Sequence, residues 1–218
     1  MGHPMHVNME KHSQKEYIPR LIFWELTEGC NLKCVHCRAT AQPNRNQEEL
    51  TTDEAFRVID EIASFADPIL VLTGGEPLYR PDFFEIASYA TNKGLKVALA
   101  TNGTLVDAEI ARKIKEIGIR RVSISIDGPN EEIHDGFRGV DGAFEQALRG
   151  TKYLQEAGVD VQFNTTISKH NVDQIEDILR LAVEKKLLHY IYSCWFQWVV
   201  GYKSLRIKCY QQNNMRKY

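Results

Sequence analysis

Apolar positions along this chain switch repeatedly between two spacings. From Ile22 onward, short apolar runs alternate with longer segments whose apolar residues recur every three or four positions. Residues 21–26, 69–72, 96–100, 121–126 and 159–166 are predicted as strands. Residues 50–66, 82–93, 107–117, 143–157 and 172–186 are predicted as helices. The punctuation supports these bounds. Thr51 or Thr52 offers an N-cap, Pro81 stands near a helix start, and Gly94, Gly118 and Gly158 follow helix ends. Strand and helix alternate through five successive units. That order predicts an α/β fold with a parallel sheet joined by right-handed crossovers, either doubly wound or a full or partial barrel. In all of these the chemistry collects at the C-terminal ends of the strands.

Composition narrows the picture only a little. The chain has 218 residues, 43% hydrophobic and 26% charged, which suits a single soluble domain with a sizeable core. A net charge of -2 gives no reason to expect nucleic acid or an anionic membrane as a partner. No apolar run has the length of a membrane span or of a signal-peptide core, so the cytoplasm is the expected location. Residues 1–20 read as a solvated tail, although Gly2, His3, Pro4, His6 and His12 also admit a metal-binding reading.

The cysteines change the picture more. There are five, and three of them fall in Cys30-Asn-Leu-Lys-Cys34-Val-His-Cys37, the loop after the first predicted strand. A disulfide scaffold would spread its cysteines along the chain. Three thiolates at C-x3-C-x2-C spacing can ligate three irons of a [4Fe-4S] cluster and leave the fourth open to a chelating ligand. A structural zinc site and simple packing remain as alternatives. Zinc requires a fourth ligand, and His36 lies too close to its neighbours to be an obvious one.

The motifs at the later strand ends carry a resemblance. Thr73-Gly-Gly-Glu76-Pro77, Thr101-Asn102-Gly103, Ser123-Ile-Ser125-Ile-Asp127-Gly128 and His134-Asp-Gly-Phe-Arg138 each fall at or just beyond a predicted strand. Together with the cysteine loop they resemble the radical S-adenosylmethionine (SAM) superfamily over about residues 21–188. The resemblance implies a partial (β/α)6 barrel in which Cys30, Cys34 and Cys37 hold a [4Fe-4S] cluster. It implies an enzyme that cleaves SAM to a 5′-deoxyadenosyl radical, which abstracts hydrogen from substrate. Gly74, Gly75 and Glu76 match the motif that receives the SAM ammonium. Asn102, Ser125, Asp127 and Asn164 match SAM-facing positions, and Arg138 matches an arginine that pairs with the SAM carboxylate. Each motif also has a plainer reading. The GGEP run can be a strand-to-helix turn, Asn102 and Asp127 can shape turns, and Arg138 can be a solvated surface charge.

Further stretches point to one branch of the family. Gly2-His-Pro, Trp24-Glu-Leu-Thr, Cys37-Arg-Ala, Leu72-Thr-Gly-Gly-Glu-Pro-Leu, Arg80-Pro-Asp, Gly142-Ala-Phe and Asn164-Thr-Thr are similar to the haem-biosynthesis members of the sirohaem-dependent pathway. That branch includes the Fe-coproporphyrin III decarboxylase type. The implied reaction is oxidative decarboxylation of tetrapyrrole propionates, with an iron tetrapyrrole as substrate and a reducing donor such as flavodoxin or ferredoxin. Arg38, Arg80 and Arg138 are candidates for the substrate carboxylates. A peptide-modifying radical SAM enzyme is the alternative, and a non-enzymatic iron–sulfur or zinc module a more distant one.

After about Leu188 the chain leaves the family pattern. It reads His189-Tyr-Ile-Tyr-Ser-Cys-Trp-Phe-Gln-Trp-Val-Val-Gly-Tyr where the family places a sixth strand and turn. A one-base shift from Tyr192 is compatible with Phe-Met-Leu-Val-Pro-Val-Gly-Cys-Gly-Leu, which resembles the family run; the rival reading is a natural short variant with an aromatic strand and a basic tail. The expectation is therefore a core over residues 21–188, an aberrant segment over residues 189–218, and a barrel incomplete at the sixth strand. On that reading Cys194 and Cys209 are not ligands.

Overall fold

The computed structural model describes residues 18–37, 42–187 and 189–194. Residues 1–17 of the expected N-terminal tail, Arg38, the aromatic run from Trp195 and Cys209 lie outside the described residues; Arg20 O already accepts from Ile69 N beside the first strand.

Six strands form one sheet, ordered as they occur along the chain, and every neighbouring pair is parallel. They are β1 (Leu21–Glu25), β2 (Ile69–Thr73), β3 (Lys96–Thr101), β4 (Arg121–Ser125), β5 (Asp160–Ile167) and β6 (His189–Cys194). The helices are α1 (Thr52–Phe65), α2 (Phe83–Asn92), α3 (Ala108–Glu116), α4 (Glu131–Arg138), α5 (Ala143–Glu156) and α6 (Ile175–Glu184).

Side-chain alternation assigns the two faces of the sheet. Leu70, Leu72, Val97, Leu99, Val122, Ile124, Val161 and Phe163 are buried with Ile59, Ile86, Ile114, Ala147, Leu154 and Ile178 from the helices. The opposite face carries Phe23, which is 65% exposed, and the paired polar residues Ser123–Gln162 and Ser125–Asn164. The helices therefore cover one face. The other is the concave inner face of a partial barrel.

Local sequence explains the helix bounds. Thr51 accepts from Glu54 N while the Glu54 side chain accepts from Thr51 N, a capping box that starts α1. Ala55, Ile59 and Ile62 then bury one stripe of that helix. Helix α4 falls between two predicted elements. Its eight residues, Glu-Glu-Ile-His-Asp-Gly-Phe-Arg, are few, and the stripe they bury, His134, Phe137 and Arg138, holds two polar side chains, so no apolar stripe marks it. Asn130 caps it by accepting from Ile133 N, and Gly139 closes it in the left-handed region at φ 69°.

The sixth strand is present, and this corrects the expectation of an incomplete barrel. His189–Cys194 pairs with β5 along its whole length, from Gln162 opposite His189 to Ile167 opposite Cys194. Tyr190 packs on the core while Ile191 faces the inner side at 48% exposure. Aromatic and β-branched residues suit a pleated, half-buried position, and the free edge of β5 supplies the hydrogen bonds. A departure in sequence did not remove the backbone pairing.

Candidate active site

The cysteine loop leaves the C-terminal end of β1 and is fastened on three sides. At its base, Gly75 N donates to Thr27 O (2.7 Å) and Glu76 N donates to Gly29 O (2.8 Å). Below it, Glu49 accepts from Thr27 Oγ1 (2.6 Å) and Glu28 N (2.9 Å). On the far side, Lys33 N donates to Arg138 O and Val35 N to Phe137 O, using the last carbonyls of α4.

Three glycines are required by these close approaches: a Cβ on Gly74 would lie 2.5 Å from Thr27 O. A Cβ on Gly75 would lie 2.5 Å from Gly29 O, and one on Gly139 would lie 2.3 Å from Lys33 O. The glycines of the GGEP run thus let the cysteine loop itself come near.

Cys30 is 8% exposed; Cys34 and Cys37 are partly exposed, and none of the three is in a disulfide. N–H groups point at two of the sulfurs. Leu32 N donates to Cys30 Sγ at 3.4 Å, Asn102 Nδ2 approaches it at 4.0 Å, and Arg138 Nη1 donates to Cys34 Sγ at 3.6 Å. Burial pushes the Cys30 thiol up to about 11, so a metal has to displace its proton on binding. Among the described residues no group of three or more His, Cys, Asp and Glu side chains is gathered around a point where a single metal ion would sit. Three thiols in one loop, with N–H donors aimed at sulfur, fit thiolate ligation of an iron–sulfur cluster.

Around the loop, the motif residues tie the strand ends together. Glu76 is fully buried; its carboxylate accepts from Leu78 N (3.1 Å), Thr101 Oγ1 (2.7 Å) and Asn102 N (2.7 Å). Burial raises it to about 7 against the pull of those hydrogen bonds. Its side chain thereby latches the end of β2 to the end of β3. Asn102 accepts from Thr104 N and Oγ1 and donates to Asn31 Oδ1 (2.9 Å), fixing the residue next to Cys30. Ser125 and Asn164 are neighbours in register on the inner face, and both are partly exposed.

Asp127 and Arg138 form the most buried charge pair of the site. Asp127 is fully buried: its N donates to His134 Nδ1, its Oδ1 accepts from Thr166 N, and its carbonyl accepts from Asn171 Nδ2. Its Oδ2 is ion-paired with Arg138 Nη2, at contact distance but without hydrogen-bond angles. Arg138 is 7% exposed, and its Nε has no hydrogen-bond partner. It is therefore not a solvated surface charge. Burial, then the charge of Arg138, pushes His134 down to about 3, so its ring is a neutral acceptor for Asp127 N.

Arg80 does not serve a substrate. It is 2% exposed and spends its donors on Leu26 O, Leu50 O and both oxygens of Asp82. Pairing next to Arg80 outweighs partial burial and holds Asp82 down at about 2. Residue 80 thus braces the start of α2 against the end of β1.

Sequence reasoning missed two contributors and weighed a third, His36, only as a zinc ligand. Gln162 is 5% exposed on the inner face and donates to Ser123 Oγ and Asn164 Oδ1; its alternation with Asn164 was the available signal. Asn171 closes the turn after β5. His36 stacks on Phe137 with ring centroids 4.0 Å apart, and Phe137 stacks on His170. Burial, then the charge of Arg138, lowers His36 to about 4 and keeps it neutral.

A parallel six-stranded sheet with a three-cysteine loop and the Gly-Gly-Glu-Pro, Thr-Asn-Gly and Ser-Ile-Asp-Gly turns at its C-terminal edge is the arrangement of one enzyme class. The chain belongs to the radical SAM superfamily, which matches it over residues 24–182. Members of that family use a [4Fe-4S] cluster and SAM. Among characterised relatives, the chain is 56% identical over 166 residues to the AdoMet-dependent heme synthase of Methanosarcina barkeri, covering 76% of this chain and 48% of that protein. It is 46% identical over 167 residues to the Fe-coproporphyrin III synthase of the same organism, covering 77% and 42% respectively. The chain thus spans about half the length of the curated relatives it matches. The crystal structure of Streptococcus suis SuiB bound to S-adenosylmethionine superimposes with a TM-score of 0.73 at 18% identity, over 85% of this chain and 42% of that one. That likeness concerns the fold. No helix among the described residues is long and apolar enough to cross a membrane.

Proposed function

We propose that residues 21–188 form the catalytic core of a haem-biosynthesis enzyme that oxidatively decarboxylates tetrapyrrole propionates. The observation that carries this reading is the 56% identity to an AdoMet-dependent heme synthase across three-quarters of the chain. In this reading Cys30, Cys34 and Cys37 hold the cluster, and the fourth iron is left for SAM. When bound, the two cofactors supply a 5′-deoxyadenosyl radical as hydrogen abstractor.

The chain's own groups bind and orient. Gly74 and Gly75 are partly exposed at the end of β2, where strand-end carbonyls suit the SAM ammonium. Glu76 supports them from behind through its three hydrogen bonds. The unpaired Nε–H of Arg138 suits the SAM carboxylate, with Asp127 holding the guanidinium in place. Asn102, Ser125 and Asn164 line the approach from β3, β4 and β5. Hydrogen abstraction from the β-carbon of a propionate, then loss of CO2 and of one electron to an acceptor, converts –CH2–CH2–COO⁻ to –CH=CH2. An iron tetrapyrrole is the substrate, and a low-potential donor such as flavodoxin or ferredoxin supplies the reducing electron.

Anaerobic reconstitution with iron and sulfide, followed by EPR of the reduced protein with and without SAM, tests the core of this reading. A [4Fe-4S] signal that changes with SAM, followed by vinyl products by mass spectrometry with Fe-coproporphyrin III, supports it. Stoichiometric zinc in place of iron, or a cluster indifferent to SAM, overturns it. SAM cleavage with no change in the tetrapyrrole removes the haem assignment alone.

A further inference from the structure

Arg138 sits where it can act on the cluster itself. The last turn of α4 is docked on the cysteine loop by two backbone hydrogen bonds that flank Cys34, from Lys33 N (3.1 Å) and Val35 N (3.0 Å). Gly139 lets that turn approach, with room for no Cβ beside Lys33 O. This docking leaves the Arg138 guanidinium little choice of position. Its Nη1 donates to Cys34 Sγ at 3.6 Å, and its Nη2 faces Asp127.

Asp127 is itself immobilised. Three other elements hold it: His134 Nδ1 on α4, Thr166 N on β5, and Asn171 Nδ2 in the turn after β5. Oδ2 is left facing Arg138 and, at 4.0 Å, His36 Nε2. Arg138 Nη2 is the nearer of the two, and its guanidinium carries a full positive charge at any accessible pH. A fully buried carboxylate and a 7% exposed guanidinium in such a mount form a fixed dipole whose positive end touches a ligand sulfur.

We propose that Arg138 and Asp127 are positioning residues that set the reduction potential of the cluster, through the N–H···S bond to Cys34 and the charge balance behind it. This rests on the reading that Cys34 ligates a [4Fe-4S] cluster, and it is separate from any contact Arg138 makes with SAM. Adding an electron to the cluster places negative charge on iron and its thiolates. A donor and a positive charge at Cys34 stabilise that reduced form and raise the potential, while Asp127 moderates the effect. The two residues therefore act with opposite signs. A role confined to folding or to holding SAM would not produce that pattern.

The test is an EPR-monitored redox titration of the anaerobically reconstituted protein without SAM, alongside iron and sulfide analysis. Arg138→Leu is expected to shift the reduction equilibrium at least tenfold toward the oxidised cluster, about 59 mV downward for one electron. Asp127→Asn is expected to shift it severalfold the other way. Arg138→Gln keeps an N–H donor without the charge and is expected to fall between Arg138→Leu and wild type; it reads the effect if Arg138→Leu fails to assemble. Unchanged potentials in all variants, with weakened SAM binding, would assign Arg138 to the ligand alone and overturn the proposal. Shifts of the same sign in Arg138→Leu and Asp127→Asn would overturn it too, as general loosening of the loop. A wild-type protein without a cluster refutes the parent reading instead, and iron analysis shows this before any titration begins.

Discussion

Replacing Glu76 with glutamine separates the shape of its side chain from its charge. The carboxylate is fully buried and accepts three hydrogen bonds, from Leu78 N, Thr101 Oγ1 and Asn102 N. Glutamine keeps one acceptor oxygen and puts an N–H2 where the second stood. One donor then faces another donor, which costs about 1–3 kcal/mol at any pH. The titration runs the other way. Burial raises Glu76 from 4.5 to about 7 in the folded chain, so the native state holds this proton more tightly than the unfolded chain does. The favourable share of stability is complete below pH 4.5 and is lost as pH rises through 7. At about 1.4 kcal/mol per pH unit, the loss approaches about 3 kcal/mol. Glutamine cannot lose it. Urea unfolding of the metal-free chain at pH 5 and pH 8 reads the difference between the two proteins, and every other titrating group, His134 included, cancels. The stability gap should move toward the variant by about 2–3 kcal/mol between the two pH values. A gap that stays flat refutes the reasoning. A gap that moves toward wild type would mean that the three donors overcome burial and that Glu76 is a depressed carboxylate.

Three further outcomes follow from the same geometry. Gly75→Ala drives a methyl group to 2.5 Å from Gly29 O and 2.7 Å from Glu28 O. It should cost about 1–3 kcal/mol in urea unfolding and reduce the iron bound on reconstitution, because the base of the cysteine loop has to shift. Arg80→Ala strips partners from Leu26 O, Leu50 O and Asp82, and should lose about 3 kcal/mol. If it instead weakened tetrapyrrole binding at unchanged stability, its bracing role would be wrong. Thr51→Ala removes the capping box of α1 and should cost about 1 kcal/mol in thermal unfolding, with iron content unaltered; a loss of iron would show that α1 helps shape the cysteine loop.

Much of the architecture was legible in sequence because it rests on local signals. Strand runs, the Thr51 cap and the glycines after α2, α3 and α5 depend on near neighbours, and the structure places them within a few residues of expectation. The cysteine loop and the turns at Gly74, Asn102 and Asp127 also follow successive strands as expected. Helix α4 was not legible, since the stripe it buries, His134, Phe137 and Arg138, is mostly polar and is covered by docking on the cysteine loop. Strand β6 was misjudged for a related reason. Departure from a family pattern says little about whether a short aromatic segment will pair with an open edge.

The sequence alone determined an alternating α/β chain with three thiols in one loop at a strand end, because period, caps and spacing are properties of adjacent residues. Only the tertiary structure decided what the surrounding residues do. Gly75 is there for the backbone of Gly29, Glu76 for the end of β3, Arg80 for two carbonyls and Asp82, and Arg138 for Cys34 and Asp127. Apart from Asp82, two residues beyond Arg80, each of those partners is distant in sequence. A buried polar group is stable only where such partners converge, and convergence is a property of the folded sheet.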